Sequence, residues 1–393
     1  MTTEARIESR TDAPAETQPG PGARTGGELR VDGAAIAYRL YDIGYAVDLE
    51  RVRELLAPAA TERVRPARSE AQALQIQNPP VAIALGTEQL TIGGVEYPAT
   101  ISARLFDFGT CSLQLHVPAS AELPWSDFSA FGTALDRSPE LAPLFERQLA
   151  LLRERVRPAV QRPNLAPVVE DYVVFRITRL ADAAGAPVSP DVLTDEHLVP
   201  LLLHERRPLS SDARRELLPH RFSYYPDDLT ILTWDNALVL EPRGDDRDVE
   251  YILEFANAQL LELRVYDALL DADLPVMYDR VAAARARMFP LPTFRYRPLL
   301  AGLQTRVADI TETVERVENA LKVTDDVYLA RIYVAALELF RGTAWRRGIE
   351  RKLAIVRETY TMFNAEAQAA RAELLEVAII ALIVLEIVIG IVK

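Results

Sequence analysis

The alternation of apolar and polar residues predicts several strands near the start of the chain. Residues 34–49 alternate well enough for one or two strands, and a short amphipathic helix is expected at 49–56. Short links join three further apolar segments, at 81–85, 99–108 and 111–117. Such links are too short for a parallel crossover, so the three segments predict an antiparallel meander.

Helical periodicity then predicts a helix at 126–156 that covers this sheet, with Ser126 and Asp127 as its N-cap. The second half repeats the order strand, helix, strands, helix, with segments at 168–180, 190–207, 220–243 and 248–271. We therefore predict an α+β body made of two units, 29–160 and 161–275, which suggests a duplicated or pseudo-duplicated fold.

The last quarter of the chain has a different pattern, in which apolar residues recur at steps of three and four. The first run is Leu300, Leu303, Val307, Ile310, Val314, Val317 and Leu321. A second run begins at Ile349, after the glycine-containing segment 341–348. This periodicity is typical of coiled coils and predicts an antiparallel helical hairpin over 298–372. Pairing between copies of the chain, giving a homo-oligomer, and simple coverage of a globular core are alternatives.

The end of the chain predicts a transmembrane helix. Residues 374–392 form a run of 19 residues that is apolar except for Glu376 and Glu386. At 1.5 Å per residue the run is about 28 Å long, close to the roughly 30 Å hydrocarbon core of a bilayer. It is also apolar all round the helix, which a surface coiled coil is not. This pattern predicts a single-pass tail anchor.

Glu386 is the main objection to this interpretation, because a charged acid near the middle of a span costs about 2.5–3.5 kcal/mol. The surrounding Ile, Leu and Val residues each contribute a few tenths of a kcal/mol in the opposite direction, and together they can outweigh it. Glu376, Glu386 and Gly390 are therefore the candidate residues for a membrane or helix contact. The alternative is a soluble coiled-coil oligomer that buries the tail in its own core.

Composition and charge narrow the class of protein. The chain has 393 residues, 49% hydrophobic and 26% charged, so a wholly disordered protein is excluded. The net charge of −13 argues against direct nucleic-acid binding, which depends on neutralising phosphates. Residues 1–28 lack an apolar stretch and contain acids, so we expect a disordered tail and neither a secretory signal nor a transit peptide. The single cysteine, Cys111, is expected to be a buried structural thiol.

No motif supports catalysis or cofactor binding. The chain has no glycine-rich dinucleotide motif, no P-loop lysine and no zinc-protease motif. His197 and His204 lie seven residues apart on one predicted helix, where solvated side chains are favoured over a metal site. The loop aspartates are explained more simply by turn chemistry than by Mg²⁺ binding. They are Asp227, Asp228, Asp235, Asp245 and Asp246. We expect no metal, no cofactor and no catalytic residue.

Two segments resemble a known family. Phe106, Phe108 and Gly109 form an aromatic-x-aromatic-Gly turn between strands, and 383–388 reads Ile-Val-Leu-Glu-Ile-Val near the end of a long helix. Both are similar to the required-for-meiotic-nuclear-division family, whose turn is followed by an apolar strand that often ends in an aromatic residue; here Leu113 and Leu115 lie in that strand. The resemblance implies a membrane-associated, non-catalytic protein and identifies no functional residue.

These observations together predict a tail-anchored scaffold or adaptor without catalytic activity. Its body would lie on the cytoplasmic face of a membrane, with the bacterial inner membrane favoured, and would bind an unidentified protein partner. An enzyme with an unrecognised site in the α+β body is a further alternative, and the loops around Asp227, Asp228 and Asp235 are the first place to look for it.

Overall fold

The computed structural model shows a mixed α+β protein. It describes residues 28–56, 61–63, 74–76, 78–205, 207–218, 220–244, 247–286, 321–323 and 327–392, together with single helical positions between 302 and 315. The predicted N-terminal tail at 1–28 lies outside these residues except for Glu28, whose carboxylate accepts a hydrogen bond from the backbone N–H of Ser126 at 3.2 Å.

The strands are numbered in chain order. They are β1 (Arg30–Asp42), β2 (Gly44–Val47), β3 (Thr61–Arg63), β4 (Leu74–Ile76), β5 (Val81–Ile92), β6 (Val95–Leu105), β7 (Thr110–Pro118), β8 (Leu123–Pro124), β9 (Val160–Pro163), β10 (Val169–Ala181), β11 (His220–Phe222), β12 (Leu229–Leu232), β13 (Asn236–Leu240) and β14 (Leu321–Val323).

The α-helices in the described ranges are α1 (Leu49–Leu55), α2 (Trp125–Asp136), α3 (Leu141–Val156), α4 (Asp195–Leu202), α5 (Ser211–Leu217), α6 (Asp248–Ala286), α7 (Val327–Leu339) and α8 (Gly342–Val392). Two short 3-10 helices lie at Arg157–Ala159 and Pro190–Val192.

Ten of the described strands form one sheet. Nine of them follow the order β11-β12-β13-β10-β1-β7-β6-β5-β3, and β8 pairs with β1 beside this path. The predicted meander is present, since β5, β6 and β7 pair antiparallel in sequence order. Strands β1 and β10 pair antiparallel at the centre, so the two predicted units contribute to a single sheet.

The two halves share an order of elements but not the direction of their strands. In the first half β7 returns antiparallel to β1, whereas in the second half β13 runs parallel to β10. The two halves therefore repeat the order of their elements, but their strands pair in different directions.

The sheet has a hydrophobic core on each face. Alternate residues of β1 point to opposite faces, as the period of a strand requires. Ala35 and Ala37 join the core under α1, α2, α3 and α4, while Ile36 and Leu40 join the core under α6 and α7. The protein is thus built in three layers, with the sheet in the middle.

The prediction of a single helix at 126–156 is wrong. The structure has two helices, α2 and α3, with a break at 137–140. Pro139 lies in the break and disfavours helical geometry at the residue before it. The predicted N-cap is also wrong, because Pro124 precedes the first helical residue and no side chain caps it.

The helix predicted at 190–207 is much shorter in the structure. Only the eight residues of α4 are α-helical. Thr194 has an extended backbone and is the N-cap of α4, so the helix cannot begin before it. The helix ends before His204, which has a left-handed backbone with φ of 51°. His197 and His204 therefore do not share a helix face.

The C-terminal helices pack on α6, which is longer than predicted and ends at Ala286 instead of 271. Ile310 of the first predicted seam and Ile349 and Leu353 of the second lie in one buried cluster with residues of α6. Most of the first seam lies outside the described residues, and Leu321, predicted as its last position, begins β14. The hairpin over 298–372 stays a prediction.

Candidate functional site

The last part of α8 exposes an apolar surface on all sides of the helix. Every Leu, Ile and Val with a described side chain between 375 and 391 is more than half exposed, from 51% for Ile383 to 79% for Ile391. Consecutive residues of a helix differ in direction by about 100°, so the exposed positions 382–385 cover its whole circumference. No face of this segment is covered by the described part of the body.

The predicted membrane span is not supported by the structure. Among the side chains that the structure describes, no helix combines the length and the apolar composition needed to cross a bilayer, so the predicted span at 374–392 lacks support. Glu376, Glu386 and Gly390 are all exposed in α8. A Cβ built on Gly390 would have open space around it in the described part of the fold, apart from the neighbouring backbone of α8.

The first part of α8, in contrast, is fixed to the body. Ile349, Leu353 and Val356 are buried at this end of the helix. The ammonium of Lys352 lies 2.7 Å from a carboxylate oxygen of Asp267 and 2.6 Å from one of Asp271, both on α6. One helix therefore joins the body to the exposed apolar end.

The turn between β6 and β7 has a structural role. Phe106 and Phe108 are each 1% exposed, and their rings stack with centroids 5.2 Å apart. Both rings contact Phe255 of α6 edge-on, at 5.8 and 6.0 Å. The two aromatic residues that carry the family-like motif thus fasten the turn to the helix that covers this face of the sheet.

Gly109 is required by the close approach of two chain segments. Its φ is +106°, and a Cβ at this position would lie 1.9 Å from the carbonyl oxygen of Gly44. The carbonyl of Gly109 in turn accepts a hydrogen bond of 3.0 Å from the N–H of Ile43. Any other residue would push β2 away from the turn.

The two histidines singled out in the sequence have different surroundings. Nδ1 of His197 accepts a hydrogen bond from the N–H of Thr194 at 3.2 Å, and burial lowers the pKa of this imidazole. His204 lies between Thr133, whose hydroxyl is 3.1 Å from Nδ1, and Asp136, whose carboxylate is 2.9 Å from Nε2. In the described residues no three side chains are grouped to hold a metal ion.

His204 and Asp235 line a cavity of about 540 Å³. The pKa of Asp235 is raised, first by burial and then by the charges of Asp136 and Asp171, which line the same cavity. A raised pKa means that this carboxyl holds its proton more tightly than an exposed aspartate does. The structure thus brings Asp235 to a cavity, as the enzyme alternative requires.

Other sequence candidates are structural. The carboxylate of Asp228 accepts hydrogen bonds from the N–H groups of Tyr224 and Tyr225, at 2.8 and 3.1 Å, which closes a turn. Asp245 and Asp246 lie outside the described residues. Cys111 is buried as predicted, and burial raises the pKa of its thiol to about 12.

Sequence reasoning missed a layer of buried charges between the sheet and α6. The carboxylates of Glu250, Glu254 and Glu262 are buried on this helix. Each accepts a hydrogen bond from a polar side chain of the sheet. Glu250 accepts from Arg176 at 2.7 Å, Glu254 from Gln114 at 2.7 Å and Glu262 from Thr110 at 2.6 Å. The alternation of β7 is a usable signal, because Thr110, Ser112, Gln114 and His116 share the face opposite to Cys111, Leu113 and Leu115.

Comparisons with known proteins identify the family without assigning an activity. The chain is similar to "Uncharacterized protein MJ0711" of Methanocaldococcus jannaschii, with 26% identity over 260 residues that cover 65% of this chain and 76% of that protein. No solved structure matches the chain. The resemblance to the required-for-meiotic-nuclear-division family is not confirmed.

The family assignment rests on the body of the protein. A family model described as "Uncharacterized protein MJ0711, N-terminal domain" matches residues 32–246. This match covers more than half of the 393 residues and runs from β1 to the segment just before α6. The chain therefore belongs to the MJ0711 N-terminal domain family.

Proposed function

We propose that this protein is a non-catalytic scaffold attached to a membrane by the apolar end of α8, with its α+β body on the cytoplasmic face. The body, or the polar part of α8, would bind a protein partner there. The observation that supports this proposal is the exposure of large apolar side chains on all sides of 375–391.

The all-round distribution favours lipid over a protein partner as the environment of this segment. A helix that packs against one other helix buries a single apolar stripe, whereas a helix in lipid contacts apolar surroundings on every side. The four successive residues Leu382, Ile383, Val384 and Leu385 are exposed by 64%, 51%, 53% and 54%. None of these directions is more protected than the others, as expected for a segment inserted in lipid.

The energetic balance also favours insertion. The exposed Leu, Ile and Val residues of 375–391 number twelve, and each contributes about −0.3 to −0.6 kcal/mol at the centre of a bilayer. Their sum of about −4 to −7 kcal/mol exceeds the roughly 2.5–3.5 kcal/mol that a charged Glu386 costs. Glu376 lies near the beginning of the segment, where an acid can remain close to the lipid headgroups.

The geometry of α8 suits a scaffold. Its first turns are held on α6 by Lys352 and by buried apolar residues as far as Val356. The residues from 361 to 374 then extend the helix by about 20 Å between these contacts and the apolar end, at 1.5 Å per helical residue. A body held at this distance from a surface leaves room for a protein partner beside the helix.

The experiment is flotation of the full-length chain with phosphatidylcholine–phosphatidylglycerol vesicles. We expect the wild type to float, and arginine at any one of positions 382, 383, 384 or 385 to reduce flotation about tenfold or more, because arginine is costly on every side of a lipid-embedded helix. Leu151→Arg is the matched control, since Leu151 is 59% exposed on α3. This variant should float like the wild type.

Two outcomes would contradict the proposal. If arginine has an effect on only one side of the helix, the segment packs in the core of an oligomer, which is the alternative interpretation. If a chain that ends at Arg371 still floats, another part of the protein binds the vesicles.

A catalytic body is the second candidate function. It is supported by the cavity that both Asp235 and His204 line, and by the raised pKa of Asp235. The carboxyl of Asp235 would exchange a proton with a small molecule bound beside His204. Titration of Asp235 by NMR tests the basis of this candidate. An ordinary carboxyl pKa for Asp235 would remove it.

A further inference from the structure

A second cavity lies between the sheet and the beginning of α6. Its volume is about 260 Å³, and it is lined by residues of β1, β6 and β7, by the first turn of α6 and by Arg247 just before it. The sheet contributes polar side chains because Thr100 and Ser102 of β6 pair with His116 and Gln114 of β7, respectively. The cavity is therefore polar, and it lies at one end of the layer of buried charges between the sheet and α6.

Ion pairs fix the walls of this cavity. The guanidinium of Arg104 forms an ion pair with Glu254, and the side-chain amide of Gln114 donates to the same carboxylate at 2.7 Å. Arg176 donates to Glu250 at 2.7 Å and to the carbonyl of Gly244 at 2.9 Å. These buried charges are neutralised by each other, so they set the shape of the cavity.

Two further donors line the cavity. The hydroxyl of Tyr251 belongs to a side chain that is 5% exposed, and it has no hydrogen-bond partner among the described residues. Arg247 also lines the cavity, and it is exposed, so its guanidinium is open to a ligand. Burial of a hydroxyl without a partner is costly, and an acceptor bound in the cavity would remove this cost.

The electrostatic environment indicates the sign of the missing partner. The pKa of His116 is lowered, first by burial and then by the positive charges of Arg247 and Arg176. A lowered pKa favours the neutral imidazole, which can donate a hydrogen bond from one ring nitrogen. Arg104 and Arg176 are paired with Glu254 and Glu250, whereas Arg247 adds a further positive charge at the cavity. This excess of positive charge favours an anion.

We propose that this cavity binds a phosphate group, held by the guanidinium of Arg247, the hydroxyl of Tyr251 and the imidazole of His116. The donors come from β7, from α6 and from the residue just before α6, and Tyr38 of β1 also lines the cavity. Donors on several sides suit a tetrahedral oxyanion better than a flat carboxylate. The volume admits inorganic phosphate or the phosphate end of a larger molecule that extends past Arg247. This inference does not depend on membrane attachment.

The test is titration of the full-length protein in detergent with sodium phosphate, at constant ionic strength, by isothermal calorimetry. Tyr251→Phe removes only the hydroxyl, and we expect it to weaken phosphate binding about tenfold or more, since hydrogen bonds to charged groups are strong. Arg247→Gln should weaken it similarly. Tyr41→Phe is the matched control, because the hydroxyl of Tyr41 is also buried without a partner but lies in the core on the other face of the sheet.

The result that supports the proposal is a phosphate affinity lowered by Tyr251→Phe and unchanged by Tyr41→Phe. Equal affinity in the wild type and both variants, or no phosphate binding by the wild type, would overturn it. Acetate binding as tightly as phosphate would overturn the assignment to a tetrahedral anion. Glycerol phosphate as a second titrant separates the two sources, since tighter binding than inorganic phosphate indicates a phosphate ester.

Discussion

Helix α6 buries charged residues, whereas the end of helix α8 exposes apolar ones. Both are the reverse of the usual distribution, in which apolar residues are buried and charged residues are exposed. Helix α6 buries Glu250, Glu254 and Glu262, each at most 4% exposed, inside the body. The end of α8 exposes twelve large aliphatic residues. The comparison shows that composition alone does not decide burial. What decides it is whether a second element supplies a complementary surface.

For α6 the complementary surface is the polar face of the sheet. Thr110 and Gln114 of β7 and Arg176 of β10 meet its carboxylates, and charges paired in this way can stay buried. For the end of α8 the described part of the chain offers no such surface. We propose that lipid supplies the environment of this segment.

The largest effect is expected from breaking the buried contacts of α6. Glu254→Ala leaves Arg104 without its carboxylate in a largely buried position, and we expect it to lower the free energy of unfolding by about 3–5 kcal/mol. Urea unfolding of the protein in detergent, followed by tryptophan fluorescence, measures the change.

An exposed ion pair provides the control for this experiment. Glu88 lies 2.6 Å from Arg147, and the side chains are 33% and 55% exposed. Glu88→Ala should cost less than about 1 kcal/mol, because water already solvates both charges. If Glu254→Ala costs as little as Glu88→Ala, the carboxylate layer does not stabilise α6 on the sheet.

A smaller effect is expected from pH. Burial raises the pKa of Glu170 to about 7, although its ion pair with Arg264 of α6 acts in the opposite direction. The folded chain therefore binds this proton more tightly than the unfolded chain. The stabilisation is complete below the unfolded pKa of about 4.5 and is lost as the pH rises towards 7. We expect a decrease of about 2–3 kcal/mol in the free energy of unfolding over this range.

The variant Glu170→Gln isolates this contribution, since it keeps a hydrogen-bonding side chain but cannot titrate. Its stability should vary less between pH 4.5 and 7 than that of the wild type, as measured by urea unfolding at each pH. Some pH dependence should remain, because burial also raises the pKa of Asp42 to about 6. Identical pH profiles of the variant and the wild type would contradict the assignment.

The smallest effect is expected at the end of α8. Ile383→Ser should change the free energy of unfolding of the body by less than about 0.5 kcal/mol, because the side chain is 51% exposed and contacts no core. The same urea unfolding measures it, and Ile332→Ser, at a fully buried position of α7, is the matched comparison. A loss above 1 kcal/mol for Ile383→Ser would mean that the segment packs on the body.

Local patterns predicted much of the fold. The mixed α+β class, the meander of β5, β6 and β7 and the buried thiol of Cys111 follow from alternation and turn residues over short stretches. The helix boundaries at Pro139 and Thr194 were missed because helical periodicity continued across them. A proline and an N-cap residue are local signals as well, and they mark both boundaries.

The cavity between the sheet and α6 could not be predicted in the same way. Its walls join Gln114 to Glu254 across 140 residues and Arg176 to Glu250 across 74 residues. The spacing of residues along one element contains no information on which distant strand lies opposite. The polar face of β7 indicated only that some polar element would cover it.

The continuity of α8 over 51 residues has a mechanical consequence. An α-helix without an interruption transmits rotation about its axis, and one residue corresponds to about 100° of turn. Inserting a single alanine between positions 361 and 374 would therefore turn the body through about that angle relative to the apolar end. Four inserted alanines would nearly restore the original direction and move the body about 6 Å further away. The length of this helix thus sets which side of the body faces a neighbouring molecule.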